Sequence, residues 1–171
     1  MDDLKTRIRN VPDFPKTGIL FYDVTTLLRD AVGFKLAIDT LAAPYLHQGI
    51  SLVVGVESRG FILGAPVADR IGAGFVPVRK LGKLPSQTIR ASYSLEYGTD
   101  SLEMHSDAVE RGQKVLIIDD LLATGGTARA TVDLVRQLGG DVYGVGFLIE
   151  LLALNGRANL QGENVRAVVQ Y

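Results

Sequence analysis

Two adjacent carboxylates, Asp119 and Asp120, stand at the end of the apolar, β-branched run Val115-Leu116-Ile117-Ile118. A loop of small residues, Ala123-Thr124-Gly125-Gly126-Thr127, follows and opens into a helical pattern that runs to Leu138. Strand, phosphate-sized loop and helix start, in that order, make an anion site. The first amides of a helix have no partner within it, and the helix dipole favours negative charge there. The glycines permit positive φ and close backbone approach, and the threonines add hydroxyl donors. The carboxylates would repel a bare phosphate, so they must face something else, most simply the vicinal hydroxyls of a sugar. Capping of the helix explains one such acid, not two. The segment therefore reads as a grip on a ribose 5-phosphate. The chain has neither the Gly-x-x-x-x-Gly-Lys-Ser/Thr nor the Gly-x-Gly-x-x-Gly pattern, which disfavours triphosphate hydrolysis and dinucleotide binding.

Further charge lies in Glu57-Ser58-Arg59-Gly60 and in the close-set cations Arg79, Lys80 and Lys83. Charge runs of this kind are usually solvated, but beside the irregular run Pro85-Ser86-Gln87-Thr88 they suit a polyanionic small molecule better. His47 and His105 are too few and too isolated for a metal site, and no all-protein metal cage is visible.

The elements that must position these groups alternate between strand and helix. Leu52 to Val56, Phe75 to Val78, Val115 to Ile118 and Val142 to Ile149 read as strands. Phe34 to Leu46, ended or bent by Pro44, Gly60 to Ile71 and Gly126 to Leu138 read as helices. This order predicts an α/β fold, a mostly parallel twisted sheet flanked by helices, with ligands at the carboxyl ends of the strands. Glu57-Ser58-Arg59 and Asp119-Asp120 should then be neighbours. Ala91 to Tyr97 and Ser101 to His105 read as a β-hairpin about Gly98-Thr99-Asp100, a lid of about residues 82–106. The Pro-rich segment 11–22 cannot be a core element and is expected to pack over the sheet edge.

A length of 171 residues suits one domain, residues 1–171, and the absence of cysteine excludes disulfides and thiolate metal sites. The acidic start, Met1-Asp2-Asp3, and the lack of a long apolar run predict a soluble, cytoplasmic protein. A formal charge of -1 argues against a nucleic-acid partner, and no membrane partner is expected.

Val115 to Thr127 resembles the phosphoribosyl pyrophosphate (PRPP) motif of the type I phosphoribosyltransferases. Val11-Pro12-Asp13-Phe14-Pro15-Lys16-Thr17-Gly18-Ile19-Leu20-Phe21, Gly55 to Phe61, Arg79 to Pro85 and Tyr93-Ser94-Leu95-Glu96-Tyr97-Gly98 narrow the likeness to the adenine-specific branch. The resemblance implies transfer of the phosphoribosyl group of PRPP to adenine, with Mg²⁺ accompanying PRPP and held mainly by substrate oxygens. It implies that Asp119, Asp120, Ala123, Thr124, Gly125, Gly126 and Thr127 hold the ribose and 5-phosphate. Ser58, Arg59, Arg79, Lys80 and Lys83 face pyrophosphate, while Leu20, Phe21 and Tyr22 meet adenine from a hood of about residues 1–30. Arg59 and Glu96 serve catalysis, Glu96 either by holding the purine proton or by shaping closure, and Tyr97 belongs to the lid. A non-proline cis peptide in the Glu57–Ser58 loop and a homodimer are implied as well. Tyr22 departs from the arginine that many relatives have there. Val142 to Asn155 holds no Lys or Arg, as suits a 6-amino rather than a 6-oxo purine.

Overall fold

The computed structural model describes residues 2–94 and 99–171. Helix α1 (Asp2–Thr6) leads into strands β1 (Arg9–Pro12) and β2 (Leu20–Asp23), then helices α2 (Thr25–Leu28) and α3 (Ala31–Ala42). The central elements follow as β3 (Leu52–Val56), α4 (Arg59–Ile71), β4 (Gly74–Lys80), β5 (Thr88–Ser94) and β6 (Thr99–His105). The chain continues as β7 (Lys114–Leu122), α5 (Gly126–Gln137), β8 (Asp141–Glu150) and β9 (Val165–Gln170). Among the described residues, a seven-stranded sheet runs in the order β5-β6-β4-β3-β7-β8-β9. The pairs from β4 through β9 are parallel, and β6 joins both β4 and β5 antiparallel.

Side chains of β7 alternate between two cores, as the period of a strand requires. Leu116 and Ile118 pack with Ile38 and Leu41 of α3 and Leu63 and Val67 of α4. Val115 and Ile117 pack on the opposite face with Val132 and Val135 of α5. The expected doubly covered, mostly parallel sheet is present. Pro44 lies in a short 3₁₀ turn, Ala43–Tyr45, directly after α3, so the helix ends where a missing backbone donor predicts. No described helix is long and apolar enough to cross a membrane.

Two boundaries differ from expectation. β7 does not stop at Ile118, because β8 keeps pairing beside it through Asp119↔Phe147, Leu121↔Ile149 and Leu122↔Glu150. Both carboxylates thus stand on a strand rather than in a loop. Residues 9–23 stand apart from the central sheet, β1 and β2 forming their own antiparallel pair from Arg9↔Asp23 to Pro12↔Leu20. In the hairpin, Thr99 and Asp100 are paired strand residues opposite Ser94 and Tyr93, and the connection between the strands lies outside the described residues.

Candidate functional site

The loop after β7 is shaped by Gly125, which takes φ 85° as the N-cap of α5, with no side chain capping the helix and no acid in its first turn. The first amides of α5 are left for an anion. Ala123, Thr124, Gly125, Gly126 and Thr127 enclose a cavity of about 80 Å³, which also borders Asp119. A second cavity of about 340 Å³ shares Asp119, Ala123 and Thr127 with the first and adds Ser58, Arg59, Lys80 and Asp120.

The C-terminal part of the chain, silent in the sequence, supports this loop. A Cβ on Gly125 would lie 2.4 Å from the carbonyl oxygen of Gly156, and one on Gly156 would lie 2.3 Å from that of Ala123. Asn159 Nδ2 donates to the Thr124 carbonyl at 2.7 Å. The only sequence signal for this contact is Gly156, a second glycine well removed from the loop. Asn159→Ala removes one hydrogen bond, a net loss of about 1 kcal/mol. It is expected to weaken ribose 5-phosphate binding about five-fold in calorimetry.

Asp120 is buried, at 7 % exposure. Its Oδ2 accepts from Arg59 Nε at 2.5 Å, and its amide donates to Asp119 Oδ1 at 2.8 Å. β3 and β7 are adjacent and parallel, which brings Glu57-Ser58-Arg59 beside the acid pair as expected. Gly60 allows the approach, since a Cβ there would lie 2.9 Å from Asp119 Oδ1. Burial, reinforced by the negative charge of Asp120, pushes the Asp119 carboxyl well above its ordinary 3.8. The folded protein therefore binds more protons than the unfolded chain above that value, and stability falls as pH rises through the window up to the folded pKa. Asp119→Asn removes the ionisation penalty. It is expected to melt above the parent at about pH 8, with the gap closing below about pH 4, as differential scanning calorimetry at both values will show.

Arg79 and Lys80 each stand beside a protein carboxylate, Glu57 and Asp100. Arg79 grips Glu57 through Nε and Nη2, both at 3.1 Å, and its Nη1 donates to the Lys83 carbonyl at 3.2 Å. The Arg79 hydrogen bonds hold the Glu57 carboxyl below its usual range. The amides of Lys83 and Leu84 donate to buried Glu103 at 2.9 and 3.1 Å, an anchor that the sequence did not reveal. Lys80 borders the larger cavity, whereas Arg79 and Lys83 do not line it. The Glu57–Ser58 peptide is cis. Glu96 and Tyr97 lie outside the described residues.

Leu20, Phe21 and Tyr22 do not line either cavity. Tyr22 stacks on Tyr171 with ring centroids 3.8 Å apart, so its side chain secures the small sheet to the end of the chain. Phe21 packs edge-on against Phe14 at 5.1 Å and shares its strand face with Asp23. The Asp23 carboxyl is lowered first by hydrogen bonds from Thr25, and the charges of Arg9 and Arg59 add to this.

Residues 26–157 match the phosphoribosyl transferase domain family. A relative from Acidobacterium capsulatum, an adenine phosphoribosyltransferase, is 55% identical over 170 residues, covering 99% of this chain and 94% of its own. The crystal structure of the adenine phosphoribosyltransferase from Thermoanaerobacter pseudethanolicus superposes with a TM-score of 0.96 at 50% identity, covering 99% of both chains. The Saccharomyces cerevisiae enzyme, solved with an imino-altritol bisphosphate and adenine, gives 0.92 at 39% identity over 98% of this chain and 97% of its own.

Proposed function

The chain belongs to the phosphoribosyl transferase family, and from that premise we infer that it transfers the 5-phosphoribosyl group of PRPP to adenine, giving AMP and pyrophosphate. The observation that carries this reading is the pair of neighbouring cavities: a phosphate-sized one at the start of α5 shares Asp119, Ala123 and Thr127 with a larger one bearing Arg59, Asp119 and Asp120.

A ring nitrogen of adenine attacks C1 of the ribose. The C1–N bond forms as the C1–O bond to pyrophosphate breaks, the bonding electrons leave on the pyrophosphate oxygen, and the nitrogen's proton passes to solvent, directly or by way of Glu96. Positive charge builds on the ribose ring, as in glycoside chemistry. The protein's task is to hold, neutralise and exclude water. The amides of Gly125, Gly126 and Thr127, with the Thr124 and Thr127 hydroxyls, hold the 5-phosphate. Asp119 and Asp120 accept from the ribose hydroxyls. Arg59, Ser58 and Lys80, with Arg79 and Lys83 behind them, offset the pyrophosphate charge. Phe21 stacks on adenine, with Leu20 and the Tyr22 backbone beside it. Glu96 and Tyr97 keep the roles that the family resemblance implies.

Mg²⁺ accompanies PRPP in this reading and offsets the charge of the leaving group. The described residues gather no cluster of three His, Asp or Glu, and Asp120 is engaged by Arg59. Such an ion would be carried by substrate oxygens, and Asp119 and Asp120 are the carboxylates of the larger cavity that would face it. The protein is further read as a cytoplasmic homodimer of one-domain chains, with the 1–30 hood and the 82–106 cover. Sedimentation will test the association.

Pyrophosphate release from PRPP and Mg²⁺ with adenine, guanine, hypoxanthine or orotate tests the reaction. Turnover with adenine alone supports the reading, turnover with another base overturns the specificity, and PRPP binding without turnover makes the protein a sensor instead.

A further inference from the structure

Lys80 meets the hairpin through the carboxylate of Asp100. β6 runs beside β4 with Lys80 opposite Leu102, so Asp100, on the same face two residues earlier, is a diagonal neighbour of Lys80. Asp100 Oδ2 lies 3.3 Å from Lys80 Nζ and accepts from the Tyr93 hydroxyl at 3.3 Å. Its Oδ1 accepts from the Ser101 amide at 2.8 Å. These donors fix the carboxylate and keep it ionised, its pKa held below the usual range first by the Ser101 amide. Lys80 and Tyr93 both line the larger cavity together with Arg59 and Thr127. The Lys80 side chain is 61% exposed, so its ammonium can exchange partners without leaving water.

Building on the PRPP reading, we propose that Asp100 is a stand-in counter-ion that holds the Lys80 ammonium at the cavity until the pyrophosphate group of the substrate displaces it. A carboxylate carries one negative charge and a pyrophosphate several, so the exchange favours the substrate at close range. Pyrophosphate competes with Asp100 for the Lys80 ammonium as it binds, and the pair re-forms as pyrophosphate departs. Asp100 therefore lowers affinity for the leaving group and eases its release, acting as a positioning residue that touches no reacting atom. It also keeps an otherwise unpaired ammonium from collecting other anions.

The test measures binding of inorganic pyrophosphate with Mg²⁺, and of PRPP, by calorimetry for the parent, Asp100→Asn, Lys80→Met and the double variant. Asn keeps an acceptor for the Ser101 amide, and thermal melting checks that the fold is retained. Asp100→Asn is expected to bind pyrophosphate roughly two- to five-fold tighter, the range an exposed ion pair is worth, and to lower kcat where product release limits turnover. A purely structural role predicts weaker binding. In the Lys80→Met background the gain is expected to vanish, whereas a general field effect of the lost charge would persist there. Unchanged or weaker binding by Asp100→Asn, or a gain that survives without Lys80, overturns the stand-in role while leaving the PRPP reading intact. A parent protein that binds neither PRPP nor pyrophosphate overturns both.

Discussion

Gly125→Ala is expected to lose transfer activity by at least about 10³-fold and to melt several degrees below the parent. The residue sits at φ 85°, where an L side chain costs roughly 1 kcal/mol or more. The larger effect is contact. The new Cβ would lie 2.4 Å from the Gly156 carbonyl oxygen, and backbone cannot rotate aside as the tip of a side chain can. Either the loop or the turn at Gly156 must move. A shift of about 1 Å in a positioning group costs about 10² in rate, and here several amides of α5 move together. Stability falls by about 2–4 kcal/mol in this picture, or about 5–15 °C for a chain of this size. Steady-state kinetics and calorimetry on one preparation check both halves. Full activity with an unchanged melting temperature would sink the account of the loop.

Asp120→Ala is expected to separate the two quantities. It removes an acceptor for a ribose hydroxyl and frees Arg59, which Asp120 now holds at 2.5 Å. Loss of one preorganised polar group costs about 10²–10³ in rate, and a roughly 10³-fold fall in kcat/KM corresponds to about 4 kcal/mol. The melting temperature should move by only a few degrees, because the Arg59 side chain is 44% exposed and can hydrate once released. Asp120→Asn keeps the shape without the charge and is expected to fall between parent and Ala. An Asp120→Ala protein that retains most of its kcat/KM would remove the pair from the ribose grip.

What was legible in the sequence was local. β3 has the residues its apolar run predicts, and α5 begins where the Gly-Thr loop predicts. The adjacency of Arg59 and Asp120 followed from placing both at the ends of parallel strands. What was not legible depends on partners distant in the chain. β7 outruns its apolar stretch because β8 continues beside it, and nothing within Val115 to Leu122 encodes that neighbour. The Arg79–Glu57 and Lys80–Asp100 pairs join residues about 20 positions apart, where alternation along one strand says nothing about which charge stands opposite. Tyr22 looked like a lost arginine until Tyr171 was seen against it. Asn159 and Gly156 lie in a stretch without periodicity, and only the folded chain brings them to Thr124 and Gly125.

The face-to-face fit of Gly125 and Gly156 has a consequence for engineering. The two turns are matched like a key blank and its ward: neither can gain even a methyl group unless the other recedes. A graft that imports residues 123–127 from a distant relative, leaving 152–160 native, should fail wherever the donor's own turn sat farther away. Exchanging both stretches at once should succeed. The transplantable unit is thus a discontinuous one, and libraries that vary Gly125 while the 152–160 turn stays fixed sample sterically barred side chains.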